Sequence, residues 1–203
     1  MRLLCFLFVF TLLGSCQSNQ RAPVSMDGYS VTNHNDISIA EKLADTGEMA
    51  ERGYLSAGVK NGPWINYHSG KHRNRIKSIT NYVNGNLNGL HLEFSNRGQI
   101  EQKINYVNNI YHGMFATYKN GRVEKEIIYD MGKLNGPYRE YDKRGNLQKQ
   151  SDYVNDKLHG KISYYDEGIL IMEYLYENGE KVSGGIVEQK EGSEEESPVE
   201  AVK

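Results

Sequence analysis

The chain has 203 residues, with 24 Lys and Arg against 26 Asp and Glu for a formal charge of −2, and only two cysteines. A body this close to neutral lacks the basic stripe that follows a phosphate backbone, which argues against a nucleic-acid partner. Cys5 and Cys16 both lie near the amino terminus, so the remaining chain has no disulfide to form, and its stability must come from burial, for which its length suffices.

Residues 1–15 read as a signal peptide. Arg2 supplies one positive charge and Leu3 to Leu13 form an apolar stretch broken only by Thr11, too short to stay behind as a membrane span. The run ends in Leu13-Gly14-Ser15-Cys16, which resembles the lipobox of bacterial lipoproteins, where cleavage precedes the cysteine and its thiol carries the lipid. That resemblance implies lipidation at Cys16. Acyl chains contribute about 0.8 kcal/mol per buried CH₂, so a multiply acylated cysteine anchors the protein in a membrane without a transmembrane helix. Gln17 and Ser18 lack the aspartate that resembles an inner-membrane retention signal, so the expected location is the bacterial cell envelope, on the outer membrane facing the periplasm.

Residues 16–35 read as the lipidated linker, with Ser18, Asn19, Gln20, Pro23, Ser25 and Asn33 giving it loop-forming character. Residues 36–61 read as an amino-terminal cap. Within it Asp36 to Ala44 fits a short helix or a strand, and Gly47, Tyr54, Gly58 and Gly62 echo the second half of the repeat that follows.

Residues 62–187 hold five copies of one unit. Gly62, Gly89, Gly113, Gly136, Gly160 and Gly184 recur at intervals of 23 to 27 residues, and five residues after each of the first five comes an aromatic: Tyr67, Phe94, Tyr118, Tyr141 and Tyr165. A second glycine column follows (Gly70, Gly98, Gly121, Gly145, Gly168), then a second tyrosine column (Tyr82, Tyr106, Tyr129, Tyr153, Tyr176). Three residues beyond each of those tyrosines stand Gly85, Asn109, Gly132, Asp156 and Gly179, the residue types that best tolerate positive φ, which predicts a turn. The opening glycines are read as marking the turn at the other end of the unit. Between them Ile100, Ile104 and Tyr106 alternate with Glu101, Lys103 and Asn105, the period of a strand with one buried face. The expected fold is therefore all-β: repeated antiparallel β-hairpins in one elongated, twisted sheet, because a lone hairpin is marginal and stacking supplies the core. Residues 188–203, rich in Glu and carrying Pro198, read as an acidic disordered tail.

Gly62-Pro63-Trp64-Ile65-Asn66-Tyr67 and Gly136-Pro137-Tyr138-Arg139-Glu140-Tyr141 resemble the variant MORN repeat of bacterial proteins, over roughly residues 47 to 184. The resemblance is specific for architecture. For function it implies a protein-interaction or membrane-associated scaffold, and proteins of this kind are often named antitoxins.

Groups with chemical potential have plainer readings. His68 and His72 are four apart but separated by Gly70 in a predicted turn, and no glutamate follows in a zinc-protease pattern, so no metal is expected. His112 and His159 occupy the column held by Asn61, Asn88 and Asn135 elsewhere, which makes them turn residues by position. No nucleophile elbow, P-loop or dinucleotide fingerprint occurs. The chain reads as non-catalytic, with no cofactor.

Binding is expected through aromatic or apolar surface. Tyr106, Tyr129 and Tyr153 share a strand face with Ile and Val and read first as a core ladder. Trp64, Phe115 and Tyr138 stand at opposite parity to the Tyr67 series, so one of those two series is expected on the less buried face unless a bulge intervenes. In the last unit Ile169, Ile171 and Leu175 replace polar residues on the wet face while Leu170 and Met172 occupy the other, so this strand is apolar on both sides. Trp64, Phe115, Tyr138, Ile169, Ile171 and Leu175 form the candidate binding face. The expected partners are a membrane through Cys16 and a protein of the envelope, with a toxin to be neutralised or a glycan as alternatives.

Overall fold

A computed structural model describes residues 26–188; residues 1–15, read from the sequence as a signal peptide, Cys16, and residues 189–203 of the segment read as an acidic tail lie outside the described residues. The period-two segments form fourteen strands: β1 (Tyr29–His34), β2 (Ile37–Leu43), β3 (Met49–Ser56), β4 (Val59–Tyr67), β5 (Ile76–Val83), β6 (Asn86–Phe94), β7 (Ile100–Val107), β8 (Ile110–Lys119), β9 (Arg122–Asp130), β10 (Lys133–Tyr141), β11 (Leu147–Val154), β12 (Lys157–Asp166), β13 (Ile169–Glu177) and β14 (Glu180–Ile186). Each pairs antiparallel with the next, and the sheet is open, running from β1 to β14 without a crossover. Residues 29–34, read from the sequence as linker, are strand β1, and the ambiguous segment after Asp36 is strand β2.

Consecutive antiparallel pairing places all odd-to-even connections at one rim of the sheet and all even-to-odd connections at the other. On the odd-to-even rim, six two-residue turns have positive φ at both central positions: Ala57-Gly58, Asn84-Gly85, Asn108-Asn109, Met131-Gly132, Asn155-Asp156 and Asn178-Gly179; at Asn35-Asp36 only Asn35 does. This is the type I′ geometry, whose twist matches that of the flanking strands. In the last five of these turns the second residue also ties its unit to the previous one. The amides of Gly85, Asn109, Gly132, Asp156 and Gly179 donate to the carbonyls of Lys60, Leu87, Tyr111, Leu134 and Leu158. Where the column holds Asn109 or Asp156, the side-chain oxygen accepts a further bond from the amide of Leu87 or Leu134, each at 2.8 Å.

The opening glycines are not turn residues. Gly62, Gly89, Gly113, Gly136 and Gly160 lie inside β4, β6, β8, β10 and β12, with φ between +84° and +127°. The ladder register slips beside each of them, as between Thr80 and Tyr82 or Ile104 and Tyr106. They are β-bulges, which bend the strand and increase its twist. A second slip recurs at the first aromatic column, between Asn66 and Tyr67, Glu93 and Phe94, Thr117 and Tyr118, Glu140 and Tyr141, and Tyr164 and Tyr165. His112 and His159 are accordingly strand residues beside a bulge, not turn residues. Their Nδ1 atoms face the amides of Met131 and Asn178 at 3.4 and 3.5 Å, as the Asn61 and Asn135 oxygens face those of Asn84 and Asn155.

Most of the core is a row of directly opposed residues crossing one face, with Ala116 and Ser163, one residue out of step with it, buried as well. The row runs from Ala40 and Gly53 through Trp64 and Thr80 to His91 and Ile104, and on through Phe115, Ile127, Tyr138, Ser151, Ile162 and Tyr174. Opposed residues on antiparallel strands project to the same side. Ala40, Trp64, Thr80, Ile104, Ile127, Ser151 and Ile162 on this row are buried although no second layer covers the sheet among the described residues. Tyr82, Tyr106, Tyr129 and Tyr153 stand two residues along their strands, so they line one flank of the row and shield it.

Candidate functional site

The aromatic side chains of the candidate face lie on this core side. Trp64 is only 1% exposed; its indole N–H donates to the Tyr54 carbonyl at 2.9 Å, and the rings of Tyr29 and Tyr82 pack edge-on against it at 6.0 and 6.4 Å. Lys60 Nζ sits 3.7 Å from its ring centroid and pairs with Glu51 at 2.9 Å. Phe115 packs on Tyr111 and Tyr129, and Tyr138 packs on Tyr153. Trp64, Phe115 and Tyr138 thus share the face of the Tyr106 series. The bulge at every Tyr67-type position explains why the Tyr67 series is also partly buried: parity alone does not set exposure where the register slips. The rings are packing elements, and Trp64 offers no surface to a ligand.

Flanking Phe115 and Tyr138 on the same face is a polar groove walled by Thr117, Lys125, Ile127, Tyr129 and Glu140. The Tyr138 hydroxyl donates to Glu140 Oε1 at 2.5 Å, and Lys125 lies 3.7 Å from the same carboxylate and 5.3 Å from the Tyr138 ring. The Tyr138 contact, acting against burial, raises the Lys125 ammonium above its ordinary value. Burial raises the phenols of Tyr82 and Tyr129, and burial with Tyr111 alongside pushes Tyr106 up to about 12. At neutral pH this groove therefore presents protonated hydroxyls and a charged amine, suited to hydrogen bonding rather than to accepting a proton.

Ile169, Ile171 and Leu175 fall elsewhere. All three are on β13, and Leu175 opposes Lys161, one residue out of step with the Ile162–Tyr174 pair of the core row, which puts it on the opposite face from Trp64. The six candidate residues are thus not one face. Ile169 and Ile171 are 50% and 42% exposed and β14 covers neither; Val182 and Ile186 on β14 are exposed as well, Ile186 opposing Met172 and so facing the side of the core row. The 36–46 segment lies at the far end of the sheet from them.

His68 Nε2 is 3.1 Å from the Phe94 carbonyl, and His72 lies in the 3-10 turn Gly70–His72. Among the described residues no group of three or more His, Cys, Asp or Glu side chains could hold a metal ion. No helix among them is long and apolar enough to cross a membrane.

A feature not apparent from net charge is the asymmetry of the two rims. The four even-to-odd connections between β4 and β11 carry Lys71, Arg73 and Arg75 in the first, Arg97 in the second, Lys119 and Arg122 beside the third, and Lys143 and Arg144 in the fourth, with Asp142 their one carboxylate. Backbone amide bonds, that of Asn146 foremost, hold Asp142 below the ordinary carboxylate range. The turns opposite, from Asn84 to Asp156, are built of Asn, Gly, Met and Asp with no cation at their central positions, though Lys133 and Lys157 stand beside two of them, and the remaining even-to-odd connections carry the acids Asp45, Glu48 and Glu167. Counting charge per connection, rather than along the chain, reveals this in the sequence.

No family model matches the sequence, and no curated protein matches it. Solved structures that resemble it include a mutant of Staphylococcus aureus TarM in complex with Fondaparinux, alpha-GlcNAc-glycerol and UDP (13% identity, TM-score 0.29, covering 66% of this chain and 21% of that one). The GtfA/B complex bound to UDP and GlcNAc is similar at 15% identity and TM-score 0.19, covering 68% of this chain and 21% of that one. The chain thus spans about a fifth of each of these structures. The fold defines the chain as a protein of repeated antiparallel β-hairpins joined in one open sheet.

Proposed function

We propose that this chain is a lipid-anchored, non-catalytic scaffold of the bacterial envelope, built of MORN-like repeats, that engages a protein partner through its carboxy-terminal repeat. The observation that carries the reading is the apolar surface at the end of the sheet. Ile169, Ile171, Val182 and Ile186 are 50%, 42%, 55% and 80% exposed, and they lie on the last two strands, β13 and β14, the outer edge of β14 having no strand beside it among the described residues. Exposed apolar side chains on the last two strands, next to an open edge, suit a partner that adds a strand and fills the side-chain positions alongside it. The resemblance of Leu13-Gly14-Ser15-Cys16 to a lipobox supports the anchoring part.

The test is affinity capture of the full-length protein from its own membranes, with mass spectrometry of what co-purifies and an Ile169→Asp, Ile171→Asp control. Both residues are exposed, so the control is expected to keep the parent's thermal midpoint. One dominant protein lost in the control is the expected result; nothing recovered from either sample sinks the scaffold reading. A Cys16→Ser variant is expected to leave the membrane fraction, and its retention there refutes lipid anchoring.

A further inference from the structure

Six Asn-Gly pairs occur in the chain, beginning at Asn61, Asn84, Asn88, Asn120, Asn135 and Asn178. In this dipeptide the glycine nitrogen has no side chain of its own residue to shield it and can close on the asparagine side-chain carbonyl, provided that it can shed its proton and that the turn can flex. The fold holds five of the six back. Gly62, Gly89 and Gly136 lie inside β4, β6 and β10 with a strand on either side, and the side chains of Asn61, Asn88 and Asn135 are engaged with Asn84, Asn108 and Asn155. Gly85 and Gly179 sit in turns, but their amides donate to the carbonyls of Lys60 and Leu158, each at 2.8 Å. A bonded amide gives up its proton less readily, and the bond also holds the turn in place.

Asn120-Gly121 differs from all of these. It forms the two-residue reversal between Lys119 and Arg122, which oppose each other at the ends of β8 and β9, on the rim away from the bonded turns. Both residues are exposed, with φ of +54° and +76°. Among the described residues neither the Gly121 amide nor the Asn120 side chain has a hydrogen-bond partner. Notches open on both sides of Asn120, one toward Arg97 and Tyr118 and the other toward Tyr141 and Lys143, so water reaches it from either side. The flanking charges act in the same direction. Two cations beside the pair favour the negative charge that develops on the glycine nitrogen and on the attacked carbonyl oxygen. Asn178 stands instead between Glu177 and Glu180, and Asn84 between Val83 and Asn86.

We infer that Asn120 is a site of self-modification, converting in water to aspartate and isoaspartate. The Gly121 nitrogen, having lost its proton to solvent hydroxide, bonds to Asn120 Cγ. The side-chain nitrogen leaves as ammonia, taking a proton from water, and a succinimide ring remains. Water then adds to one of the two ring carbonyl carbons, and the bond from that carbon to the glycine nitrogen breaks. Breaking it at Cγ yields aspartate; breaking it at the main-chain carbonyl yields isoaspartate, with the main chain now running through Cβ and Cγ. One water enters, one ammonia leaves, and nothing is oxidised or reduced. Either product sets a carboxylate between Lys119 and Arg122, so the basic stretch of this rim gains a counter-charge. Isoaspartate also adds a methylene to a reversal built for two residues, which loosens the pairing of Lys119 with Arg122. The site is independent of the apolar side chains on β13 and β14 assigned to the partner.

The test is incubation of the full-length protein in mildly alkaline buffer made with ¹⁸O-water, folded and in concentrated urea, with conversion at each Asn-Gly pair followed by peptide mass spectrometry. In the folded protein position 120 should convert at least about fivefold faster than Asn84, the factor that one net hydrogen bond on the Gly85 amide corresponds to, and Asn178 should lag behind both. In urea the lead of Asn120 over Asn84 should shrink to about twofold, the scale of exposed flanking charges. Lys119→Gln with Arg122→Gln, both exposed, should slow position 120 by that same factor of about two in the folded protein and leave Asn84 unchanged. Equal conversion of Asn84 and Asn120 in the folded protein, or the same ratio folded and in urea, overturns the inference. So does a folded protein in which position 120 stays intact over the time in which it converts in urea.

Discussion

Gly53→Ala tests how the core row is built. Gly53 is buried and directly opposes Trp64, and its backbone is not in the left-handed region. On backbone grounds alanine should be favoured in a strand by about 0.5–1 kcal/mol. Yet a Cβ placed there would lie 2.2 Å from Trp64 Cδ2 and 2.4 Å from Cε2 and Cγ. Carbon atoms rest at roughly 3.5–4.0 Å, so the indole would have to retreat by more than about 1 Å. That retreat strains the N–H bond to Tyr54, worth about 1 kcal/mol, and the edge contacts to Tyr29 and Tyr82, worth about 0.5–1.5 kcal/mol each. Overpacking itself costs about 1–3 kcal/mol, so the expected net destabilisation is about 3 kcal/mol. Trp64 is the single tryptophan of the chain, so urea unfolding followed by its fluorescence reads both quantities at once: a lower midpoint, and a red-shifted native emission. In a Trp64→Leu background, followed by circular dichroism, the cost of Gly53→Ala should fall below about 1 kcal/mol, isolating the coupling. A Gly53→Ala protein within about 0.5 kcal/mol of the parent with unchanged emission, or an equal cost in both backgrounds, refutes the reasoning.

Two further outcomes follow from the turns and the tyrosine ladder. Asp156→Asn should be neutral, because Asn109 performs the same bond in another unit, whereas Asp156→Gly keeps the backbone conformation, removes the acceptor for the Leu134 amide and should cost about 1 kcal/mol. Native-state hydrogen exchange at Leu134 decides it: unchanged protection in the glycine variant contradicts the assigned bond. The tyrosines set an alkaline limit. Tyr106 titrates at about 12 in the folded chain against about 10 unfolded, so the folded state holds its proton more tightly. Its contribution to stability is full below pH ~10 and is lost as pH rises from there through about 12. Thermal midpoints should therefore decline above pH ~10, and less steeply in Tyr106→Phe; parallel profiles for the two proteins would contradict this.

The sequence by itself determined the repeat, its strand periodicity and the column of turn residues, because each is local: alternation of side chains fixes which strand face is apolar, and two consecutive positive-φ positions fix where the chain reverses. It did not determine the role of the opening glycines. Positive φ serves a bulge as well as a turn, and only the ladder between neighbouring strands shows that the chain continues straight through Gly89 or Gly113. The bulges in turn decided which aromatics share a face, since a register slip overrides parity, and they set Trp64, Phe115 and Tyr138 apart from Leu175. Tertiary structure also decided where charge accumulates. A chain of net charge −2 distributes its loops alternately to two rims, so cations that are neutralised when counted along the sequence gather at one edge in space.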